Sequence, residues 1–102
     1  MSKKIKKLPP IHPGDILQDE FAEIGISANA VALALRIPAN RLTEIINGKR
    51  SITADTAMRL GRYFGTSAQL LMNLQSRYEL QVAEDELAER IDREVQPLRK
   101  AS

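Results

Sequence analysis

Apolar residues recur every three or four positions along most of this chain, which is the spacing of a helix that buries one face. The first such run predicts a helix near residues 14–24, and Gly25 ends it because glycine readily adopts the left-handed conformation found after helices. Pro13 suits the first helical turn, where a backbone N–H would have no helical acceptor. The apolar positions of this run are Ile16, Leu17, Phe21 and Ile24.

Two short helices follow, joined by a tight turn. Ser27 is a favourable N-cap for a second helix over 28–35. Pro38 disfavours helical geometry at the residue before it and can open a third helix over 39–46. Gly48 then supplies a left-handed position that stops the third helix. The inward positions of the two helices are Val31, Ala32, Leu35, Leu42 and Ile45.

The second half of the chain predicts two further helices and no strand. Thr53 caps a fourth helix over 54–64, which a glycine ends. Ser67 caps a fifth helix from residue 68 to about residue 95, with a break near 82–85 as the alternative. The apolar positions of its distal part are Leu80, Leu87, Ile91 and Val95. No segment alternates with the period of a strand, so the predicted fold class is all-α with short connections.

The second and third predicted helices are joined by about three residues, which is the geometry of a helix-turn-helix unit. In such a unit the second helix enters the major groove of DNA and the first crosses the backbone. The third helix turns two apolar positions inward and leaves a polar face outward, which is either an ordinary solvated face or a surface that reads bases. Its residue types suit base edges: Asn pairs with adenine, Arg with guanine, Glu with cytosine, and the Thr methyl group meets the thymine methyl group. The predicted base contacts are Ala39, Asn40, Arg41, Thr43 and Glu44.

Polar and basic residues at the ends of these helices are predicted to contact DNA phosphates. Lys49 and Arg50 follow the third helix, where the alternative role is an interaction with the helix dipole. Ser27 is expected to be an N-cap first, although a helix N-terminus can also meet a phosphate. The predicted phosphate contacts are Ser27, Asn29, Asn47, Lys49, Arg50 and Ser51.

Charge is unevenly distributed along the 102 residues. The net charge of +2 and the isoelectric point near 9.2 lean mildly towards polyanionic partners, although many enzymes are as basic. Residues 1–7 carry four lysines and no acid, whereas residues 79–94 carry seven of the 13 acids. The basic arm could follow DNA phosphates or enter a minor groove, or it could be a solvated tail.

Nothing in the sequence indicates catalytic or metal chemistry. There are no cysteines, which excludes disulfides and thiolate metal sites. His12 is the single histidine, and without ligands around it we expect it to lie at the start of the first helix. Glu84, Asp85 and Glu86 do not share a helix face, so they are not a paired-carboxylate site. We predict no catalytic residue, no metal and no cofactor.

Localisation follows from the same features. No apolar run approaches the length that a bilayer requires. The basic N-terminus leads into prolines and a histidine and not into the apolar core of a signal peptide. The expected location is the cytoplasm, with no membrane contact.

The apolar stripe of the fifth helix predicts self-association. Leu70, Leu74 and Tyr78 share one face because they are spaced four residues apart. A small domain cannot cover such a long helix by itself, so a homodimer is expected. The predicted dimer contacts are Leu70, Leu74, Tyr78, Leu87 and Ile91. The alternative is that residues 84–102 fray, or fold only on a protein partner.

Four motifs in order resemble the HigA/VapI antitoxins, a branch of the Cro/cI-type (XRE) helix-turn-helix repressors. They are HPGDIL (12–17), NRLTEIINGKR (40–50), ITADTAMRLGRYFGTS (52–67) and NLQSRYEL (73–80), and the resemblance covers roughly residues 11–82. The chain departs from the family pattern at Arg36, where a turn glycine is common. It departs again at Leu70 and Leu71, where an aromatic pair is common. A left-handed turn at Arg36 would cost more than at glycine.

The resemblance implies a five-helix Cro/cI repressor-like domain with a C-terminal helical extension. The predicted organisation is a flexible basic arm over 1–12, a helix-turn-helix domain over 13–82 and the extension over 83–102. The resemblance also implies a dimeric repressor that reads a palindromic operator in double-stranded DNA, controls its own operon and neutralises a RelE/HigB-like mRNA-cleaving toxin. Alternatives are a stand-alone XRE-type regulator without a toxin, or a toxin-binding protein with little DNA binding. A small enzyme is the third and least supported function.

Overall fold

The computed structural model describes residues 9–99, and five α-helices form this part of the chain. The predicted all-α fold is confirmed, and the bounds of the second, third and fourth helices agree with the sequence pattern. The N-terminal basic arm falls mainly on residues 1–8, which lie outside the described residues, as do residues 100–102. The helices are α1 (Pro13–Ile24), α2 (Ala28–Leu35), α3 (Ala39–Ile46), α4 (Ala54–Phe64) and α5 (Ala68–Glu94).

Side-chain caps define where most of these helices begin. Ser27, Thr53 and Ser67 each accept a hydrogen bond from a backbone N–H in the first turn of α2, α4 and α5. At α1 the cap is an imidazole: Nδ1 of His12 accepts from the N–H of Gly14 over 2.9 Å. The expected place of His12 at the start of the first helix is therefore confirmed.

The core is built around α3. Leu42 and Ile45 have no exposed surface, and α1, α2 and α4 all contribute buried side chains around them. Phe21 of α1 stacks on Phe64 of α4 with ring centroids 5.6 Å apart. The inward positions predicted for the second and third helices are therefore confirmed. In α1, Leu17 and Phe21 are buried, whereas Ile16 and Ile24 are 39% and 59% exposed. The core side chains are Leu17, Phe21, Val31, Ala32, Leu35, Ile37, Leu42, Ile45, Ile52, Ala57, Leu60 and Leu71.

The N-terminus of α1 crosses the C-terminal end of α3 at very short range. A Cβ atom on Gly14 would overlap the carbonyl oxygen of Ile45 and lie 2.8 Å from the Cα of Ile46. Only glycine therefore allows this backbone approach.

The α2–α3 turn contains a non-glycine residue in the left-handed region. Arg36 has φ 61° and ψ 45°, and it is the only residue other than glycine with positive φ among residues 9–99. Its N–H donates to the oxygen of Leu33, and the N–H of Ile37 donates to the oxygen of Ala32. These two bonds close α2 in a Schellman motif, with Ile37 packed into the core. The left-handed turn that is expected to cost more free energy with arginine than with glycine is therefore the turn that the structure shows at Arg36.

Replacing Arg36 by glycine should therefore raise the free energy of unfolding by about 1 kcal/mol, because glycine has no Cβ penalty in this conformation. Chemical denaturation followed by circular dichroism measures the effect. Arg77→Gly is the matched control: it lies inside α5 and should lower stability by about 1 kcal/mol through helix propensity alone. A loss of stability in both variants would contradict the argument for the turn.

The fifth helix is one continuous element and does not break near residues 82–85. It ends at Glu94, so Val95 lies just beyond the helix instead of on its last turn. Residues 84–94 are exposed throughout, and the expected burial of a distal stripe does not occur within one chain. Leu80, for example, is 64% exposed. The reason is that α1 and α4 pack against the first part of α5, where its buried residues Leu71 and Gln75 lie.

Among residues 9–99, no helix carries an apolar stretch of the length that crossing a membrane requires.

Candidate DNA-binding surface

Helix α3 has two distinct faces. Leu42 and Ile45 anchor one face in the core, and Ala39, Asn40 and Thr43 are exposed on the other. Arg41 and Glu44 are half-buried at the two edges of the exposed face. The structure thus brings the five predicted base-contact residues together on one surface of α3. Since the three-residue turn locks α3 against α2, this surface is rigidly presented to solvent.

An ion-pair network fixes one edge of that surface. A terminal guanidinium nitrogen of Arg41 lies 3.6 Å from a carboxylate oxygen of Asp55, in the first turn of α4. Arg59 reaches the same carboxylate, with Nε 3.1 Å from both oxygens, and also donates to the backbone oxygen of Leu35 over 3.0 Å. Asp55 therefore connects α3, α4 and the end of α2, and it restricts the directions in which Arg41 can point.

Two further side chains on α3 already have partners. The hydroxyl of Thr43 donates to the oxygen of Ala39 over 2.9 Å. Glu44 accepts from Nε of Arg50 over 2.7 Å. This exposed pair is expected to contribute little to stability. It does mean that a base contact by Glu44 and a phosphate contact by Arg50 would compete with an existing interaction.

The loop over 47–53 places the remaining basic residues next to α3. Lys49 and Ser51 are exposed, as are Asn47 and Arg50, and the φ of 75° at Gly48 confirms the left-handed position predicted after the third helix. The N–H of Lys49 donates to the oxygen of Glu44 over 2.8 Å, so the loop begins folded against the end of the helix.

The other end of this loop is held by two residues of α5 that sequence reasoning missed. Oε1 of Gln75 accepts from the N–H of Ile52 over 2.9 Å, and Glu79 accepts from the hydroxyl of Ser51 over 3.1 Å. The available signal was the helical register: Gln75 follows Leu71 by four residues, so a polar side chain lies on the buried face of α5. Buried polar groups require partners, and a loop backbone N–H is a common one.

The remaining predicted phosphate contacts lie at the start of α2. Ser27 is exposed, and its hydroxyl accepts from the N–H of Ala30 over 3.1 Å, which confirms the predicted N-cap role. Asn29 is exposed in the first turn of the same helix. Both therefore lie at the positive end of the α2 dipole, where an anion is favoured.

The predicted dimer residues are spread along α5 and partly around it. Leu74 and Tyr78 are half-buried, and Tyr78 packs edge-on against His12 with ring centroids 4.8 Å apart. Leu87 and Ile91 lie farther along the helix, and 17 residues from Leu70 to Leu87 are not a whole number of helical turns. Their side is rotated by roughly 100° from that of Leu70 and Leu74. The dimer contact at these five residues stays a prediction.

These features define the class of protein. Two short helices in a tight turn, an outward polar face on the second helix and a basic loop after it are the parts of a helix-turn-helix domain. The helix-turn-helix family matches residues 17–71, which covers more than half of the chain.

Similar proteins show which group within the helix-turn-helix family the chain belongs to. The chain is 48% identical over 81 residues to virulence-associated protein I of Dichelobacter nodosus, covering 78% of this chain and 75% of the relative. A HigA-family addiction module antidote protein from Coxiella burnetii superposes with a TM-score of 0.85 at 47% identity, covering 89% of this chain and all of the other. The Pseudomonas aeruginosa antitoxin HigA, solved with the higBA promoter, superposes with a TM-score of 0.84 at 49% identity, covering 88% and 99%. The chain belongs to the HigA/VapI-type antitoxins of the helix-turn-helix family.

Proposed function

We propose that this chain is a DNA-binding repressor and antitoxin that controls its own operon. The carrying observation is the exposed polar face of α3, bordered by the loop over 47–53, on a fold that superposes closely on antitoxins solved with promoter or operator DNA. A polar, partly basic surface on a rigid helix is complementary to the major groove of DNA, which admits an α-helix and presents hydrogen-bond donors and acceptors.

The proposed roles separate into base contacts and phosphate contacts. Asn40 and Arg41 would read adenine and guanine through paired hydrogen bonds, and the methyl group of Thr43 would meet a thymine methyl group. Ala39 and Glu44 complete the proposed base-contact face. Phosphates would be met by the loop after α3 and by the start of α2, which supply charge and register but no sequence information. The proposed phosphate contacts are Ser27, Asn29, Asn47, Lys49, Arg50 and Ser51.

The proposed repressor acts as a homodimer. Two copies of α3 about 34 Å apart would read the two halves of a palindrome. Exposed apolar surface on α5 supports self-association, since Leu70 is 53% exposed beside the half-buried Leu74. We place the dimer contact on Leu70, Leu74 and Tyr78, and the separate face with Leu87 and Ile91 remains available to a second partner.

The proposed second partner is a RelE/HigB-like toxin, as the antitoxin family implies. The exposed distal part of α5 supports a protein contact, because an isolated helix of this length is marginal in water without packing. The action proposed here is binding and not catalysis, and it takes place where the operator DNA is, in the cytoplasm. Within residues 9–99, no three His, Asp or Glu side chains are grouped closely enough to hold a metal ion.

The test of this function is fluorescence anisotropy with the DNA immediately upstream of the gene and with a shuffled version of that DNA. The upstream DNA should bind at least about a thousandfold more tightly, and its affinity should fall steeply between about 50 and 200 mM salt because lysine and arginine release counterions from phosphates. Equal affinity for both DNAs at every salt concentration would contradict sequence-specific repression and would favour a protein that acts through its toxin partner alone.

A further inference from the structure

A small polar cluster joins α5 to the loop that carries the proposed phosphate contacts. Gln75 is 4% exposed, and its Oε1 accepts from the N–H of Ile52. Its Nε2 donates to a carboxylate oxygen of Glu79 over 2.9 Å. The hydroxyl of Ser51 donates to that same oxygen over 3.1 Å. The loop is therefore tied to α5 through both its backbone and a side chain.

Both polar atoms of the Gln75 amide have hydrogen-bond partners in this cluster. The oxygen of the Gln75 amide is used by Ile52, so its nitrogen must face Glu79 and Ser51, with Ser51 at 3.4 Å. A leucine at position 75 would leave the N–H of Ile52 buried without an acceptor, because Ile52 itself is 2% exposed. The arrangement is thus specific to a side chain that offers both an acceptor and a donor.

Within the described part of the chain, the carboxylate of Glu79 has hydrogen bonds but no ion pair. The cation next in sequence to Ser51 is Arg50, and Arg50 is paired with Glu44. A negative charge therefore sits beside the serine of a loop that is otherwise suited to phosphate, which is itself negative.

We infer that Gln75 and Glu79 are positioning residues for the loop over 47–53, and that the Glu79 carboxylate also limits how tightly this loop binds DNA. Glu79 holds the hydroxyl of Ser51 in the free protein and repels the phosphate that would replace it. The affinity for DNA is therefore lower than it would be if position 79 were uncharged. This inference rests on the proposed DNA-binding function and concerns the same surface.

The decisive variant is Glu79→Gln, which keeps the length and an acceptor oxygen but removes the charge. We expect it to bind DNA about three- to tenfold more tightly at low salt and to show a steeper salt dependence, because one repulsive charge per loop is lost. The control is Glu89→Gln, which makes the same change on the exposed distal part of α5, about 15 Å farther along the helix axis. When the variants are compared at about 0.1 M salt, its affinity should equal that of the wild type, since the screening length there is about 10 Å and interactions over a longer distance are largely screened.

Two additional measurements separate positioning from simple destabilisation. Gln75→Leu should increase amide hydrogen exchange in residues 47–53 and weaken binding to all DNA sequences equally, while exchange in α3 stays unchanged. In a Ser51→Ala background, Glu79→Gln should tighten binding less than in the wild type, because the hydroxyl that the carboxylate holds is absent.

The outcomes distinguish this inference from the proposed function. Phosphate contacts are independent of sequence, so the effect of Glu79→Gln should appear on shuffled DNA as well as on upstream DNA. If the wild type does not prefer upstream DNA but Glu79→Gln tightens binding to both DNAs, specific repression fails and the inference stands. If Glu79→Gln binds DNA no more tightly than the wild type and Glu89→Gln do, the inference is overturned. This holds whether or not the wild type prefers upstream DNA.

Discussion

Replacing Gly14 by alanine is expected to lower the free energy of unfolding by about 3 kcal/mol, a large share of the stability of a domain of this size. The new Cβ would overlap the carbonyl oxygen of Ile45, and both contacting groups are backbone, so no side-chain rotation can relieve the clash. Either α1 or the end of α3 must move. Urea denaturation measures the stability loss, and anisotropy should show weaker DNA binding at temperatures where the variant remains folded.

Gly25→Ala is the matched control for this prediction. Gly25 is the residue that follows α1, and it has φ 83°, but a Cβ there would meet no atom within 4 Å. Its cost should be about 1 kcal/mol, from the left-handed conformation alone. Equal losses in the two variants would show that backbone approach at the α1–α3 crossing is not what requires glycine at position 14.

Replacing Arg41 by alanine is expected to remove most of the preference for upstream DNA over shuffled DNA. One arginine that pairs with guanine contributes about 1–3 kcal/mol of discrimination, and a dimer carries two, so the preference should fall on the order of 100-fold. Binding to shuffled DNA should change much less, because phosphate contacts remain. Anisotropy with both DNAs measures the two affinities.

The ion pair between Arg41 and Asp55 allows a second test of the same prediction. Asp55→Asn removes the charge that orients Arg41 and should reduce the preference partially, by less than Arg41→Ala does. Arg62→Ala is the control, since it removes an exposed arginine from the last turn of α4 and should leave the preference unchanged. Arg41→Ala could instead behave as Arg62→Ala does and leave the ratio of the two affinities unchanged. In that case Arg41 contributes only charge and does not read a base.

The helix bounds could be predicted closely because their signals are local. Ser27, Thr53 and Ser67 each bond to a backbone N–H three residues away, and Gly25 and Gly65 each end a helix with their own backbone conformation. Such interactions depend on a few neighbouring residues, so a single sequence displays them. The grouping of polar residues on α3 is equally local, since it follows from helical periodicity alone.

The interactions that orient the candidate site could not be predicted in this way. The partner of Arg41 is Asp55, and the partner of Ser51 is Glu79, which is 28 residues away in the sequence. Nothing in the spacing of these residues indicates contact, because the pairings depend on how α3, α4 and α5 pack. The division of the α5 leucines between two faces is hard to see for a related reason, since the register drifts over 17 residues while a sequence reading compares near neighbours.

The sequence by itself determined an all-α chain, the limits of α2, α3 and α4, and the residues that α3 turns outward. Periodicity and capping decide those properties within one or two helical turns. Only the tertiary structure decided that Gly14 brings α1 onto the end of α3, and that Gln75 and Glu79 hold the loop beside it. These are contacts between segments distant in sequence, and their geometry exists only once all five helices share one core.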